Sequence, residues 1–153
     1  SPVFIIAQAA LESGWGKSTI GKYNVFGITR GGWPVEKCLL VTTHEYFKTK
    51  TVRFTAPEKV VKIEHVAGNG LYKYTCKRLF RNYATLGEAL RDHAAVLKKS
   101  WPEAWAYRMS PENYVKKIQE GRKKYATAPN YVETMGKMFG TVRKAMKEAG
   151  LSC

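Results

Sequence analysis

Hydrophobic or small residues fill almost every position from 3 to 11, and this run predicts a helix that is apolar on all sides. Such a helix belongs in a protein core, so Glu12, which follows it directly, should lie at the edge of that core. Gly14 and Gly16 then supply the backbone that ends a helix, which puts Glu12 in its last turn. The helix dipole and contact with Trp15 would both raise the pKa of this carboxyl. A carboxyl that stays protonated beside a cleft suits a general acid, and a solvated glutamate at a frayed helix end is the alternative.

The segment from 38 to 83 has a different character, because β-branched and aromatic residues dominate and turn signals divide it into short strands. The first two predicted strands would pair with each other across a short turn. The last two flank Asn69-Gly70, which is a strong hairpin signal. The predicted strands are residues 39–47, 51–54, 60–66 and 71–75. Together they predict a small antiparallel lobe.

The rest of the chain has the spacing of amphipathic helices. His93 lies on an apolar face, and we expect it to be a core residue with its hydrogen bonds satisfied rather than a catalyst. The helix that begins at Ser110 and Pro111 should stop at Gly121. Helix starts are marked by Thr85 with Glu88, by Ser110 with Pro111, and by Pro129. The last helix carries a stripe expected in the core: Tyr131, Met135, Met138, Phe139, Val142 and Met146. This order of elements predicts an α+β fold class in one domain, residues 1–153, with the β-lobe at about 37–83.

The charge balance is strongly basic, with 26 Lys and Arg against 12 Asp and Glu, a formal net charge of +14. Such a surplus implies an anionic partner, either nucleic acid or a cell-wall polymer that carries carboxylates or phosphates. Zinc-finger spacing and RNP strand motifs are missing, so we do not expect nucleic acid as the main partner. No apolar run approaches the ~20 residues that span a bilayer, and the start at Ser1-Pro2 is typical of a processed or trimmed chain.

The cysteine count is odd. Cys38 and Cys76 could pair in an oxidising compartment with Cys153 free on the tail, and three unpaired thiols are the preferred interpretation. The histidines do not cluster with the cysteines, so the sequence predicts neither a metal site nor a cofactor.

Five short motifs follow one another along the chain: AQAALESGWGKS at 7–18, YNVFGI at 23–28, TTHEY at 42–46, FRNY at 80–83 and YATAPNY at 125–131. In this order they resemble the peptidoglycan-cleaving glucosaminidases of glycoside hydrolase family 73. The resemblance implies a lysozyme-like fold, in which a mainly helical lobe and the small antiparallel β-lobe flank a substrate groove. It also implies cleavage of the β-1,4 bond between N-acetylglucosamine and N-acetylmuramic acid. We expect a monomer in the cell envelope, periplasmic or secreted, with peptidoglycan strands as its partner and anionic wall polymers as further candidates.

The same resemblance assigns catalytic roles. Glu12 matches the general acid, and Glu45 matches the β-lobe carboxylate, with Glu64 as its reserve. Tyr125 matches the first Tyr of the family's YATDPNY motif, which implies contact with substrate near the cleaved bond. The chain departs from that motif at Ala128, where the family usually has Asp, so we expect a cap or positioning hydrogen bond to be lost. Retention, inversion and attack by the substrate's own acetamido group all stay open.

Several further residues are candidates for substrate binding, although core packing is favoured for Phe26 and Tyr83. The set is Trp15, Asn24, Phe26, Trp33, Tyr83, Asn130 and Tyr131. Two other functions stay open at this point. One is a muramidase or lytic transglycosylase that acts on the same glycan, and the other is a basic module that binds walls or nucleic acid without catalysis.

Overall fold

The computed structural model describes residues 1–120, 123–126 and 128–152. Within these residues it contains four α-helices and one three-stranded antiparallel sheet, which confirms the α+β class with a helical part and a small β-lobe. The helices are α1 (Pro2–Ser13), α2 (Leu86–Ser100), α3 (Pro111–Gln119) and α4 (Tyr131–Glu148), and the strands are β1 (Cys38–Phe47), β2 (Lys59–Val66) and β3 (Leu71–Arg81). The predicted helix stop at Gly121, Thr127 of the YATAPNY motif and Cys153 on the tail lie outside the described residues.

The core of the helical lobe lies where α1 packs against α3 and α4. Phe4 of α1 contacts Tyr114 edge-on, with 4.7 Å between ring centroids, and Phe139 at 6.2 Å. The predicted stripe on α4 is confirmed, because all but one of its members are buried and the remaining one, Met138, is partly buried. Each such side chain contributes about 1.5–3 kcal/mol when fully buried. This packing holds the C-terminal end of α1 beside the start of α4.

One face of α1 is open to solvent, so the prediction that the whole helix lies in the core is wrong for this face. Ile6 is 40% exposed, and Leu86 of α2 is 45% exposed. Both line an apolar groove of about 530 Å³ between α1 and α2, which we call the α1 groove. Its other lining residues are Pro2, Ile5, Ala9, Ala10, Ser13, Trp15, Gly16, Val25 and Leu90. Hydrophobicity alone does not reveal whether a neighbouring element covers a side chain.

The sheet has the order β1-β3-β2, so β3 is its central strand. The predicted hairpin is confirmed, because β2 and β3 are antiparallel and Val66 pairs with Leu71 around the Asn69-Gly70 turn. Cys38 pairs with Arg81 and Cys76 pairs with Thr43, five register positions apart, and both thiols are free. The structure therefore agrees with unpaired thiols at these two positions.

Residues 51–54 do not form the predicted partner strand of β1. Instead β1 pairs along its whole length with β3, and residues 48–58 pass over the sheet without regular structure. The Tyr74 hydroxyl donates to the Thr49 carbonyl at 2.7 Å, and Phe54 packs on the Arg78 guanidinium at 4.2 Å. The central strand β3 supplies a longer partner for β1 than residues 51–54 could.

The capping box of α2 is confirmed. The Glu88 N–H donates to the Thr85 hydroxyl at 3.1 Å, and the Glu88 carboxylate accepts from the Ala84 N–H at 2.9 Å. His93 lies in the core as predicted, with 2% exposure, but among the residues that the structure describes neither of its ring nitrogens has a hydrogen-bond partner. The prediction of a satisfied histidine is therefore wrong, because its neighbour is the apolar ring of Phe26, stacked at 3.7 Å.

None of the helices in the described residues is long and apolar enough to cross a membrane.

Candidate active site

A left-handed turn at Gly14 ends α1 after Ser13, two residues beyond Glu12. Gly14 has φ 55°, and its N–H donates back to the Ala10 carbonyl, as expected for a helix C-terminus. Trp15 follows with φ 61°, a conformation that is uncommon outside glycine. The Ser13 hydroxyl donates to the Ala9 carbonyl and closes the last turn. Glu12 therefore projects from a regular helical turn whose end is firmly held.

Glu12 lies in the wall of a cavity of about 540 Å³, between the end of α1, residues 125, 126, 128 and 130, and the first turns of α4. Within the described residues the structure thus brings four of the predicted site residues together: Glu12, Tyr125, Asn130 and Tyr131. The remaining lining residues are Leu11, Ala126, Ala128 and Thr134. The volume lies within the range of small-molecule binding sites.

Burial governs the protonation of the groups in this cavity. Glu12 keeps one side open to solvent, yet desolvation by the surrounding protein raises the pKa of its carboxyl. Desolvation, followed by the nearby charge of Glu12, raises the pKa of Tyr125 far above its ordinary value. Desolvation also raises the pKa of Tyr131, whose hydroxyl accepts a bond from the Gln8 amide at 2.9 Å. The two phenols stay neutral and can act as hydrogen-bond donors toward a group bound in the cavity.

Tyr125 is held from its backbone and from its ring. Its N–H donates to the Ile118 carbonyl at 3.0 Å, which ties it to the end of α3. Its ring lies 5.4 Å from that of Trp101 and 5.5 Å from that of Tyr131. The Trp101 indole N–H donates to the Lys123 carbonyl at 2.8 Å and so fixes the same segment.

Gln119 supports the next residue of this segment through a two-point contact that the sequence analysis missed. Its Nε2 donates to the Ala126 carbonyl at 3.1 Å, and its Oε1 accepts from the Ala126 N–H at 2.8 Å. Both backbone groups of Ala126 are therefore satisfied by one side chain. A single Gln at a helix end carries no recognisable pattern, so only the fold reveals this role.

The start of α4 reflects the departure from the family motif at Ala128. The Ala128 carbonyl accepts the N–H of Tyr131 at 3.3 Å, and Asn130 occupies the N-cap position. In the part of the chain that the structure describes, no side chain makes a hydrogen bond that caps this helix. Support for Tyr125 comes instead from Gln119, Ile118 and Trp101.

Glu45 lies on β1 and is absent from the described lining of the Glu12 cavity. Arg78 donates one hydrogen bond to Glu45 and another, of 3.0 Å, to Glu58. Glu64 is exposed on β2, and its bond to Lys62 at 2.8 Å lowers the pKa of its carboxyl. Of the two candidate β-lobe carboxylates, Glu45 alone belongs to a partly buried ion-pair network.

Asn24 is buried, with 1% exposure, and its amide is fully used by the backbone. Its Nδ2 donates to the carbonyls of Ile28 at 3.0 Å and Arg81 at 2.9 Å, and its Oδ1 accepts from the Ile28 N–H at 2.9 Å. These bonds tie the loop after α1 to β3. The geometry favours a supporting role for Asn24 over direct contact with substrate.

Of the four aromatic residues predicted to contact substrate, two are buried and two are partly or largely exposed. Phe26 is buried against His93, and the buried Tyr83 donates its hydroxyl to Asp92. Trp33 is half-buried and packs edge-on against Tyr83 at 5.2 Å, whereas Trp15 is 55% exposed. In the described residues none of the four lines the Glu12 cavity. Among these same residues, His, Cys, Asp and Glu form no group of three that could hold a metal ion.

Comparisons with known proteins match most of the chain. The glucosaminidase family, described as mannosyl-glycoprotein endo-beta-N-acetylglucosaminidase, matches residues 1–144. Peptidoglycan hydrolase FlgJ of Salmonella typhimurium is 33% identical over 153 residues, covering 94% of this chain and 40% of the relative. A probable N-acetylmuramidase of Lactococcus lactis subsp. lactis is 29% identical over 148 residues, covering 90% and 28%. The chain thus spans less than half the length of these curated relatives.

The fold also matches a solved structure. The crystal structure of a peptidoglycan hydrolase mutant from Sphingomonas sp. A1 aligns with a TM-score of 0.61 at 27% identity. The alignment covers 95% of this chain and 84% of the other. Sequence and structure therefore point to the same group of proteins.

Proposed function

The chain belongs to the glucosaminidase family, and from this premise we propose that it hydrolyses the glycan strands of peptidoglycan, with Glu12 as the general acid. The observation that carries the proposal is the position of Glu12 in the wall of a cavity that it shares with Tyr125 and Tyr131, where partial burial raises the pKa of its carboxyl. A raised pKa keeps more of the carboxyl protonated near neutral pH, as proton donation to a leaving oxygen requires. The relative named peptidoglycan hydrolase supports the choice of substrate.

The reaction needs a nucleophile on the other side of the sugar. The proposal is that the substrate's own 2-acetamido oxygen attacks the anomeric carbon while Glu12 gives its proton to the departing oxygen. Water then displaces the acetamido oxygen from the anomeric carbon, which restores the acetamido group, and the Glu12 carboxylate takes up the water's proton. Supporting this route, Glu45 is absent from the described cavity lining and is bound to Arg78. Glu45 as the base or nucleophile is the alternative.

The bond that we propose is cleaved is the β-1,4 bond on the reducing side of N-acetylglucosamine, which joins it to N-acetylmuramic acid. The relative named probable N-acetylmuramidase supports the other bond as a second candidate. Mass spectrometry of digested and reduced wall fragments separates the two. New N-acetylglucosamine ends agree with the proposal, N-acetylmuramic acid ends indicate a muramidase, and anhydro ends indicate a transglycosylase. Because peptidoglycan lies outside the cytoplasm, the proposed place of action is the cell envelope.

The role of Glu12 is tested by Glu12→Gln. This change keeps the shape of the side chain and removes its dissociable proton, so wall hydrolysis should fall by about 10² to 10⁴. The parent should lose activity on the alkaline side of its pH profile, because only the protonated carboxyl is active. Turbidity loss of purified walls and a thermal midpoint from circular dichroism are the two measurements.

Two further variants serve as controls. Glu64→Gln removes an exposed carboxylate and should leave activity near the parent's. Glu45→Gln should have a smaller effect than Glu12→Gln if the acetamido group is the nucleophile. A folded Glu12→Gln protein with turnover close to the parent's would show that the acid is another residue.

A further inference from the structure

The β-lobe contains a cavity in addition to the Glu12 cavity. It lies between residues 53–58 and Arg30, which follows the short bridge from Thr29 to Phe80. We call it the arginine pocket, and its volume is about 340 Å³. It is lined by Arg30, Arg53, Phe54, Thr55, Ala56, Glu58 and Leu79. In the described residues it shares no lining residue with the Glu12 cavity. It is therefore a separate site on the surface of the lobe.

The carboxylate in this pocket is already engaged. Glu58 accepts from the Arg78 guanidinium at 3.0 Å and from the Leu79 N–H at 2.8 Å. Burial works against its charge, but the bonds from Leu79 and Arg78, together with the nearby Arg30, lower the pKa of its carboxyl. Glu58 therefore stays ionised, and it shares the Arg78 guanidinium with Glu45.

Arg30 and Arg53 differ from the other arginines of this lobe. Arg78 is paired with two carboxylates, and Arg81 is paired with Asp92. Throughout residues 1–120, 123–126 and 128–152, no side chain or backbone group accepts a hydrogen bond from the guanidinium groups of Arg30 and Arg53, and neither forms an ion pair. Arg30 is also half-buried, and its backbone N–H is fixed on β3 by the Leu79 carbonyl at 2.8 Å. The Arg30 charge lies near enough to Glu58 to interact with it, but its guanidinium donors make no direct bond there, so they are available to an anionic ligand.

We propose that Arg30 and Arg53 form a subsite for one anionic group of the cell-wall polymer, such as a carboxylate or a phosphate. The guanidinium group presents a planar set of donors that matches both groups in a two-point contact. The Thr55 hydroxyl adds a neutral donor to the same wall. The volume, at the small end of ligand sites, suits one charged group with a short chain. The identity of the polymer rests on the proposed function, whereas the preference for an anion does not.

The test measures binding to purified Gram-positive walls by co-sedimentation, with Glu12→Gln as the background so that cleavage does not interfere. The double variant Arg30→Gln with Arg53→Gln should bind about tenfold or more weakly, as expected for losing charge-assisted hydrogen bonds. Its matched control is Lys98→Gln with Lys99→Gln, which removes the same charge from exposed positions on α2. The single variant Arg53→Gln, at an exposed position, keeps the test valid if the double variant is unstable.

Chemical treatment of the walls distinguishes the two sources of the anion. If hydrofluoric acid, which strips phosphate polymers, abolishes the difference between the arginine variant and its control, the ligand is a phosphate. If the difference survives that step and disappears after carbodiimide amidation, the ligand is a carboxylate. Either result supports the subsite.

The proposal is overturned if the arginine variants, folded by circular dichroism, bind untreated walls as tightly as the lysine control does. Neutral N-acetylglucosamine oligomers provide a second check, since the arginine variants should bind them as the parent does. Failure of the anion subsite can be distinguished from failure of the proposed hydrolysis. A parent that fails to cleave walls but loses wall binding with the arginines would refute hydrolysis and leave the anion subsite standing.

Discussion

His93 should make the stability of the fold sensitive to mild acid, and His93→Leu should remove that sensitivity. The imidazole is buried with 2% exposure, stacks on Phe26, and has no partner for either ring nitrogen in the described residues. Desolvation lowers the pKa of His93 from its ordinary 6.5 to about 4, against an opposing effect of the Asp92 charge. Asp92 is itself held by Arg81 and Tyr83.

The size of the effect follows from the two pKa values. Because the folded-state pKa is the lower one, the unfolded chain takes up the proton first, and stability falls as the pH drops below 6.5. Each pH unit between 6.5 and about 4 costs ~1.4 kcal/mol, so the full penalty is about 3 kcal/mol, of which about 2 kcal/mol is lost by pH 5. At pH 7 the two unpaired nitrogens still cost about 1–3 kcal/mol each. His93→Leu removes both penalties and loses the ring contact, which is worth about 0.5–1.5 kcal/mol, so we expect a net gain of at least ~0.5 kcal/mol at pH 7.

Urea unfolding of parent and His93→Leu at pH 7, 6, 5 and 4, followed by circular dichroism, provides the assay. The difference between the two proteins isolates residue 93, since all other titrating groups are shared. That difference should grow by about 2 kcal/mol between pH 7 and pH 5. A difference that stays constant across this range would show that His93 is not a buried neutral histidine, and the reasoning would fail.

Variants at three further positions test the surroundings of the candidate site. Gln119→Ala should lower kcat about 10-fold to 100-fold with little change in KM, because Ala126, the neighbour of Tyr125, loses both of its bonds to Gln119. Gln119→Glu keeps one of the two bonds and should be intermediate. Equal kcat for the parent and both variants would contradict this role. Ala128→Asp adds a carboxylate to the cavity of Glu12, so the alkaline limb of the pH profile should move to higher pH, whereas Ala128→Asn should leave it in place. Asn24→Ala should lower the free energy of unfolding in urea by at least ~3 kcal/mol, because three backbone groups lose their partner. Unchanged stability with lost activity would indicate instead that Asn24 contacts the substrate.

The parts of the fold that depend on residues close together in the sequence were predictable. The end of α1 at Gly14, the capping box at Thr85 and the hairpin at Asn69-Gly70 each rest on a local rule of backbone chemistry. The pairing of β1 was not predictable in this way. Its choice of β3 over residues 51–54 joins segments far apart in the chain and depends on which strand offers the longer ladder.

The candidate site divides in the same manner. Glu12 could be singled out because an apolar run ends on one carboxylate, and the resemblance supplied Tyr125. The contact of Gln119 with Ala126 and the bonds of Asn24 could not be predicted, since each joins a common polar residue to backbone groups that the fold brings near. The open face of α1 was mistaken for core because residue type reports the preference for burial and not the presence of a cover.

The α1 groove also affects how the variants above can be screened. Dyes such as anilinonaphthalene sulfonate fluoresce on contact with exposed apolar surface and are commonly used to detect loosely packed states. A groove of about 530 Å³ lined by Ile5, Ile6 and Leu90 offers such a dye a binding place on the fully folded protein. Bright dye fluorescence from this protein therefore does not indicate a molten state. Near-ultraviolet circular dichroism, which follows the packing of aromatic rings such as Tyr114 against Phe4, is the safer measure of native structure.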